Sequence, residues 1–387
     1  MTARPLRILL VGDYADDARL GSGKVAHKLR DELIAAGHEC TALFADDIGG
    51  APSGRQVRQL VSPLLAARAI RAALARVPYD VIDAASAEGL WFGLEKRLGG
   101  WRAIAYVCRS NGIEHLNYRR MLDDSTAGLA DKPLVRRLWY PVSRLTQVAA
   151  AARLADRLIV LNDTDRRFAL ERGWQPAARI DVVPHGVSER FLHPPSSAAP
   201  RGAGALFCGA WDRVKGVPYL VQAFDRLAAD GRPVPLTILG PGLGAADVMQ
   251  SIPDRLRPAV TVIERVSEER VIEEYRRHDV LVFPSTYEGF GLVVLEAMSQ
   301  GLPVVATAVG CATDLIRDGE NGVIVPSRDA NALAIAIRRV MDAPAKRDRI
   351  GANAAATVAS MTWRRTAERT VDVYRAALAD ASSSRRT

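Results

Sequence analysis

Two glutamates flank a glycine-rich segment, Pro284–Gly291, that follows an apolar β-branched run and precedes a helical pattern. The segment contains Glu288, Gly289 and Gly291, and the helix after it carries Glu296. Glycine lets the backbone approach a ligand, and the free N–H groups at a helix start favour a phosphate. Because Glu296 lies about one and a half turns inside the helix, we predict that the two carboxylates contact different parts of one extended ligand. The structural alternative makes Glu288 a first-turn acid and Glu296 a surface residue.

Two cations, Arg213 and Lys215, lie in a second glycine-bearing loop between Gly209 and Gly216, again between a strand pattern and a helix. A helix N-terminus favours acids, so cations there make sense when an anion shares the site, since each pairs with a phosphate oxygen. The alternative is that both are solvated loop charges.

A third glycine cluster, Gly21-Ser22-Gly23-Lys24, follows the first strand pattern. The Walker motif needs glycine at position 18 and serine or threonine at position 25, where Ala18 and Val25 stand. This excludes a nucleotidase of the Walker type.

The segment Asp163-Thr164-Asp165 has the D-x-D spacing of a metal–diphosphate site. Its place between a strand and a helical pattern favours Asn162 or Asp163 as a helix cap instead. No cluster of histidine, cysteine and carboxylate has metal-ligand spacing, so we expect no metal.

Positive charge is concentrated between residues 97 and 157, where 11 basic and 5 acidic residues supply +6 of the formal net charge of +8. Its middle part contains Arg119, Arg120, Lys132, Arg136, Arg137, Arg144 and Arg153, with Leu138, Trp139 and Tyr140 among them. A solvated helix face is one interpretation, and contact of residues 119–153 with an anionic membrane surface is the other. No nucleic-acid module accompanies the charge, so we predict no nucleic-acid partner.

Short β-branched runs alternate with helical patterns along the chain, which predicts parallel sheets covered by helices. The predicted strands are Arg7–Val11, Cys40–Phe44, Val81–Ala84, Ile104–Cys108, Leu158–Leu161, Ala205–Cys208, Leu236–Leu239, Val260–Ile263, Val280–Phe283, Pro303–Thr307 and Gly322–Val325. A Pro/Ser/Ala-rich linker, residues 193–201, separates two series. We therefore predict an α/β fold of two doubly wound domains, 1–192 and 202–363, facing across a cleft, with ligands at the carboxyl ends of strands.

Composition excludes several classes of protein. The 387 residues are 48% apolar and 25% charged, as in soluble globular proteins. The longest uncharged run, Ala297–Thr313, is interrupted by glycine and proline, so it does not predict a membrane span. Four scattered cysteines without a CxxC pair indicate free thiols, and with no leader segment recognised we expect a cytoplasmic protein.

Taken together, the motifs resemble the retaining family 4 (group 1) glycosyltransferases of the GT-B fold. The resemblance rests on the order of Gly21–Lys24, Val183–Val187, Gly209–Gly216, the E-x7-E element Glu288–Glu296, Gly301–Val305 and Asp318–Gly322. It implies two Rossmann-like domains and a final helix, 364–380, that crosses back onto the first. It also implies metal-independent transfer of a hexosyl unit, with retention, from a nucleotide-diphosphate sugar as co-substrate and without a further cofactor. The implied acceptor is a saccharide or a lipid-linked one, in bacterial envelope polysaccharide, lipopolysaccharide or glycolipid synthesis at the inner face of the membrane.

The same resemblance implies a role for each matched residue. Glu288, Lys215 and Arg213 form the catalytic group, in which Glu288 contacts the donor sugar and the two cations neutralise the leaving diphosphate. Glu296 contacts the ribose. The other donor-side residues are Gly209, Gly289, Phe290, Gly291 and Leu292, with Arg265 and Val266 near the base. The substrate-side residues of the first domain are Gly21, Gly23, Asn111 and His115.

Three positions depart from the family pattern. Ala210 stands where relatives carry arginine, so that either Arg213 substitutes or a phosphate contact is lost. Asn111 stands where many carry histidine, for which His115 is a nearby replacement, and Thr313-Asp314 replaces a common Pro-Glu pair, which we expect to be tolerated. The departures at Ala210 and Asn111 leave open a catalytically silent nucleotide-sugar-binding protein. A sugar-nucleotide epimerase on a similar fold is a further alternative, which would need no acceptor. The sugar, the base and the acceptor remain open.

Overall fold

The computed structural model describes residues 4–19, 21–49, 55–126, 134–192 and 201–383. The chain divides into two compact units, Met1–His185 with Trp363–Thr387, and Gly186–Thr362. The division follows His185 rather than residue 192, because Phe191 packs on Tyr275 and accepts a hydrogen bond from the Gln300 side chain. Residues 193–200 of the predicted linker lie outside the described residues.

The first unit contains a six-stranded parallel sheet in the order β2-β1-β3-β4-β5-β6. Its strands are β1 (Arg7–Val11), β2 (Glu39–Leu43), β3 (Val81–Ala85), β4 (Ala105–Arg109), β5 (Arg157–Val160) and β6 (Ile180–Val182). All neighbours pair in parallel, and the central strands are buried on both faces. Such strands are continuous apolar runs because helices cover both sides. Five of these strands were predicted from the sequence, and β6 was missed.

Helices of the first unit connect consecutive strands. They are α1 (Gly21–Ala35), α2 (Ala45–Ile48), α3 (Arg55–Leu74), α4 (Leu90–Arg97), α5 (Glu114–Thr126), α6 (Leu134–Tyr140), a π-helical turn (Pro141–Leu145), α7 (Thr146–Leu154), α8 (Asp163–Glu171) and a 3-10 turn (Ala177–Arg179). Asn162 Oδ1 accepts a hydrogen bond from the Asp165 N–H at 2.8 Å, which confirms the predicted cap of α8.

The second unit contains another six-stranded parallel sheet, in the order β12-β11-β10-β7-β8-β9. Its strands are β7 (Ala205–Cys208), β8 (Leu236–Leu239), β9 (Val260–Ile263), β10 (Val280–Phe283), β11 (Val304–Thr307) and β12 (Val323–Val325). Its helices are α9 (Glu189–Leu192), α10 (Val217–Ala229), α11 (Ala245–Gln250), a 3-10 turn (Arg257–Ala259), α12 (Glu268–Arg277), α13 (Leu292–Ser299), α14 (Ala312–Leu315), α15 (Ala330–Met341) and α16 (Pro344–Val358). Both units are therefore doubly wound α/β sheets, as predicted.

The last helix, α17 (Trp363–Ser383), belongs to the first unit and not to the second, which precedes it in sequence. Its apolar face, including Val371 and Tyr374, packs with Ile8 and Leu33 in the core below the sheet. The Trp363 ring stacks on His185 with ring centres 5.3 Å apart. The predicted return of a final helix to the first domain is confirmed.

Among the described residues, no helix is both long and apolar enough to cross a bilayer. All four cysteines are free thiols.

Candidate active site

The two predicted phosphate loops leave adjacent strands at the point where the strand order of the second sheet reverses. β8 and β9 lie on one side of β7, whereas β11 and β12 lie on the far side of β10. The loop Gly209–Gly216 follows β7, and the loop Pro284–Gly291 follows β10. In open α/β sheets, ligands bind outside the carboxyl ends of strands at this reversal. The topology thus brings together two segments that are distant in sequence.

Close contacts hold the two loops against each other. Gly216 has φ +76°, and a Cβ there would lie 1.9 Å from the Pro284 carbonyl oxygen, so only glycine fits. The Thr286 N–H also donates to the Val214 carbonyl at 2.7 Å. The two loops consequently form one continuous surface with fixed backbone geometry.

The predicted catalytic pair meets on this surface. Lys215 Nζ lies 2.6 Å from Glu288 Oε2, and both side chains are partly exposed. Arg213 is exposed, and its guanidinium has no carboxylate partner among the described residues. A phosphate that reaches this surface therefore meets one free cation and a second cation shared with a carboxylate.

The N-terminus of α13 lies at the end of the same loop. Gly291 has φ +91° and precedes the first helical residue, Leu292. The side chain of Phe290 is buried, and its carbonyl accepts a hydrogen bond from the Cys311 N–H at 2.6 Å. The first-turn N–H groups of a helix have no acceptor within it. The Val294 N–H donates to the Gly291 carbonyl at 2.9 Å, which leaves Leu292 and Val293 to present the first donors of the helix. The N-terminus of α13 is therefore a candidate anion site, and the role of its N–H groups stays a prediction.

Glu296 is buried on α13, which excludes the alternative that it is a surface residue. Its Oε2 accepts a hydrogen bond from the Tyr275 hydroxyl at 3.1 Å. The same hydroxyl lies 3.6 Å from Cys208 Sγ, at the end of β7. Burial raises the pKa of Tyr275 well above its ordinary value, so the phenol remains a donor. Tyr275 was not predicted, since a tyrosine on an amphipathic helix looks like any other core residue.

Three further predicted donor residues lie along the same edge of the sheet. Gly209 has φ +139° with open space where a Cβ would stand. Arg265 is exposed and Val266 half-buried in the loop between β9 and α12. Because β9 is two strands from β7, that loop lies about 10 Å away along the edge. Arg265 and Val266 therefore do not join the Lys215–Glu288 cluster, but they lie within the length of an extended ligand.

In the first unit, Gly21 and Gly23 belong to the first turn of α1 and not to the loop before it. Gly23 is buried, and a Cβ there would lie 2.6 Å from the carbonyl oxygens of Ala15 and Asp17. The lack of a side chain at Gly23 lets the backbone of Ala15 and Asp17 pass close to the start of α1. Both glycines are nevertheless at the carboxyl end of β1, the edge on which they were predicted.

Asn111 and His115, the other two predicted substrate-side residues, face different surroundings. Asn111 follows β4 and lines a cavity of about 10 Å³ with Tyr14, Asp83 and Arg109. Its Oδ1 is buried without a hydrogen-bond partner. His115 lies on α5 and does not line this cavity; its ring is 5.0 Å from that of Trp174. Burial lowers the pKa of His115 to about 4, so the imidazole is neutral near pH 7.

Buried ion pairs occupy the same edge of the first sheet. Arg109 Nη2 lies 2.6 Å from Asp83 Oδ2, which also accepts the Tyr374 hydroxyl at 2.6 Å. Arg144 bonds Glu88 at 3.1 Å and Glu114 at 3.2 Å. The interpretation of Arg144 as part of a solvated basic face is thus wrong, because two carboxylates draw it into the interior.

Comparison with known proteins gives the family. The profile described as "Glycosyl transferases group 1" matches residues 191–357, and the profile "Glycosyltransferase Family 4" matches residues 20–191. The chain belongs to the group 1 glycosyltransferases. The two profiles meet close to the division between the two units.

Among curated relatives, a D-inositol 3-phosphate glycosyltransferase of Kineococcus radiotolerans is 32% identical over 275 residues, which are 63% of this chain and 62% of that protein. A protein of the same description from Streptomyces griseus is 42% identical over 274 residues, 62% of this chain and 58% of that protein. The chain thus matches about three fifths of the length of these relatives.

Solved structures share the fold over almost the whole chain. Sucrose-phosphate synthase from Thermosynechococcus elongatus superposes with a TM-score of 0.78 at 23% identity, covering 96% of this chain and 99% of that one. Anabaena HepE in complex with UDP-glucose gives 0.66 at 17% identity, covering 94% and 98%. The group 1 glycosyltransferase thus has the GT-B fold of two Rossmann-like units.

Proposed function

We propose that this protein transfers a hexosyl unit from a nucleotide-diphosphate sugar to a hydroxyl of a saccharide or lipid-linked acceptor. The observation that carries the proposal is the meeting of Lys215 and Glu288, 2.6 Å apart, beside the N-terminus of α13. Together with the exposed Arg213, this arrangement combines cations and N–H donors for a diphosphate with a carboxylate for sugar hydroxyls. Anabaena HepE, which shares the fold and was solved in complex with UDP-glucose, supports a donor of this class.

The proposed chemistry follows from the charge that develops in the transition state. As the anomeric C–O bond breaks, negative charge grows on the leaving diphosphate, where Lys215, Arg213 and the helix N-terminus stabilise it. The departing phosphate oxygen takes the proton of the acceptor hydroxyl, which attacks from the same face and retains the anomeric configuration. In this scheme, protein cations supply the charge that a metal would otherwise provide. Glu288 holds the sugar hydroxyls, and Glu296 holds the ribose.

The acceptor side of the proposal rests on the charges at the edge of the first sheet. Arg109 and Arg144 are already bonded to buried carboxylates. Such pairs have little attraction left for a phosphate, which favours an acceptor recognised through its hydroxyl groups. We propose a lipid-linked or saccharide acceptor of bacterial envelope synthesis, used by a cytoplasmic protein at the inner membrane face.

A donor screen tests the proposal. UDP-, GDP-, ADP- and dTDP-sugars are added to the purified protein, and the shift in melting temperature and the release of nucleotide diphosphate are measured. A true donor at about 100 times its Kd stabilises the protein by about 2.7 kcal/mol. The anomeric proton of the product, measured by NMR, reports retention or inversion. Lack of stabilisation and turnover with every donor would refute the proposed function.

The variant Glu288→Ala separates the enzyme from its alternatives. We expect the variant to fold and to lose transfer, because the donor sugar loses its carboxylate partner. Donor binding without turnover in the wild type would identify a silent binding protein, the alternative raised by Ala210 and Asn111. Conversion of the donor without an acceptor would identify an epimerase.

A further inference from the structure

An exposed apolar surface lies on the first unit, outside the candidate active site. On α3, the side chains of Val57, Leu60 and Leu64 are exposed, and their i, i+3, i+7 spacing places them on one face. The opposite side of α3, including Ala66 and Ile70, packs in the core. α3 is thus apolar toward the core and also toward solvent.

A second exposed pair adjoins this face. Leu138 on α6 and Val142 in the π-helical turn are four residues apart and 68% and 72% exposed. The Gln147 side chain donates to the Leu60 carbonyl at 3.0 Å, and the π-helical turn packs against α3. The exposed side chains therefore lie on neighbouring elements, and the five of them are here named the α3–α6 surface: Val57, Leu60, Leu64, Leu138 and Val142. Contiguous apolar patches of this kind on a soluble protein mark interaction sites.

The helices that carry this surface contain positive charge only. α3 has four arginines, α6 has two and the π-helical turn has one, and none of these elements contains aspartate or glutamate. Arg58, Arg71 and Arg144 are bonded to carboxylates of neighbouring elements. Arg68 and Arg137 are exposed and have no carboxylate partner in the described part of the chain. Exposed apolar side chains with uncompensated arginines beside them complement an anionic lipid surface.

The α3–α6 surface borders the edge of the sheet where a substrate would bind. Arg58 Nε bonds Asp13 Oδ1, just after β1, at 3.0 Å. The Ser62 hydroxyl bonds Glu88, just after β3, at 3.0 Å. These contacts hold the first half of α3 at the carboxyl ends of the strands. The exposed apolar side chains lie on a different face of the same helix.

We infer that the α3–α6 surface docks on an anionic phospholipid bilayer. The five aliphatic side chains enter the boundary between headgroups and acyl chains, and Arg68 and Arg137 contact lipid phosphates. This assignment narrows the basic region 119–153 to Arg137, Leu138 and Val142 and adds α3, because Arg120 is bonded to Asp124 and Arg144 is buried. Lys132 lies outside the described residues. The consequence for acceptor delivery rests on the proposed function, whereas the binding itself does not.

Co-sedimentation with lipid vesicles, without donor or acceptor, tests the inference. The wild type is compared on vesicles of phosphatidylcholine alone and of phosphatidylcholine with phosphatidylglycerol. The double variant Leu60→Ser/Leu64→Ser is compared with Ile34→Ser/Ile335→Ser, which removes two aliphatic side chains of matched exposure (50% and 45%, against 45% and 52%) from other helices. We expect binding to the anionic vesicles, a loss of about tenfold or more in partition for the α3 variant, and none for the control. Arg68→Glu/Arg137→Glu should weaken binding to anionic vesicles in the same way.

Three outcomes would overturn the inference. They are no binding of the wild type to anionic vesicles, equal binding of the α3 variant and its matched control, and a dimer in analytical ultracentrifugation that the α3 variant abolishes. The last would assign the surface to a second copy of the chain. Urea denaturation confirms that each variant folds. Nucleotide release measured without vesicles reports the proposed function separately, so failure of one does not imply failure of the other.

Discussion

Replacing Lys215 by alanine separates the contribution of one cation to catalysis from its contribution to folding. Its Nζ lies 2.6 Å from Glu288 Oε2, with the two side chains 27% and 17% exposed. An ion pair that water reaches on both sides contributes only about 0.2–1 kcal/mol to folding. A loss of this size lowers the melting temperature of a unit of this length by about 4 °C at most.

The expected effect of Lys215→Ala on turnover is much larger. In the proposed reaction, the charge on the leaving diphosphate grows toward the transition state, so the lysine stabilises that state more than the bound donor. Removing one preorganised group of this kind typically costs about 10²–10³ in kcat, or about 2.7–4 kcal/mol. We expect kcat to fall by that factor and KM for the donor to change less. Lys215→Arg should recover part of the loss, since it keeps the charge.

The assay is nucleotide release at saturating donor, together with thermal unfolding of the same preparations. Arg232→Ala is the matched control, because it breaks another ion pair of the second unit, 2.7 Å from Asp342, away from the two loops. The control should lose as little stability as Lys215→Ala and keep its kcat. Wild-type kcat in Lys215→Ala, or equal losses of kcat in both variants, would refute the assignment of Lys215 to the leaving group.

Three further predictions test the geometry. Gly216→Ala and Gly231→Ala both force alanine to positive φ, at a cost of about 1–2 kcal/mol. Only the Gly216→Ala side chain also meets a backbone carbonyl, so urea denaturation should show a total destabilisation of about 2–5 kcal/mol for that variant. Glu296→Gln should raise KM for the donor about 10–100-fold with little change in kcat, because it weakens charge-assisted hydrogen bonds; an unchanged KM contradicts the ribose assignment. Burial lowers the pKa of His115 from 6.5 to about 4. As the pH drops from about 6.5 toward 4, the histidine is protonated in the unfolded chain but not in the folded one, so the free energy of unfolding falls. In urea titrations at several pH values, the free energy of unfolding of His115→Phe should fall less than that of the wild type over this interval. An equal fall in both proteins would contradict the prediction.

The buried strands were predictable because each is a run of apolar residues long enough to stand out. β7 to β10 have the predicted bounds, since glycine, proline or a charged residue borders the pattern at every end except before Val260, where Ala259 stands. β6 was missed because Ile180–Val182 has three residues with Asp181 at the centre, which is too short for any periodicity. The end of the first domain was misplaced for a different reason. A Pro/Ser/Ala-rich segment is a local signal, whereas the packing of Phe191 on Tyr275 is a long-range contact.

The site was predictable in its loops but not in its pairings. Glycine loops after strands, with cations or acids in them, indicate ligand contact from local sequence alone. The pairing of Lys215 with Glu288 depends on the reversal of strand order and on the approach of Gly216 to Pro284, which no local pattern encodes. The contact between Tyr275 and Glu296 likewise joins side chains of two different helices, α12 and α13.

The distribution of charge supports the proposal that two sheets of similar construction bind different ligands. The first unit contains the larger basic excess, yet Arg109 and Arg144 at its ligand edge are each drawn into buried pairs with carboxylates. A buried pair is already neutralised, and removing either partner to serve a ligand would leave a charge stranded in the interior. In the second unit, Arg213 is exposed without a carboxylate partner among the described residues, and Lys215 shares its carboxylate with solvent. Net charge alone therefore favours the first unit for the proposed phosphate site, whereas the exposure and pairing of each cation favour the loops after β7 and β10.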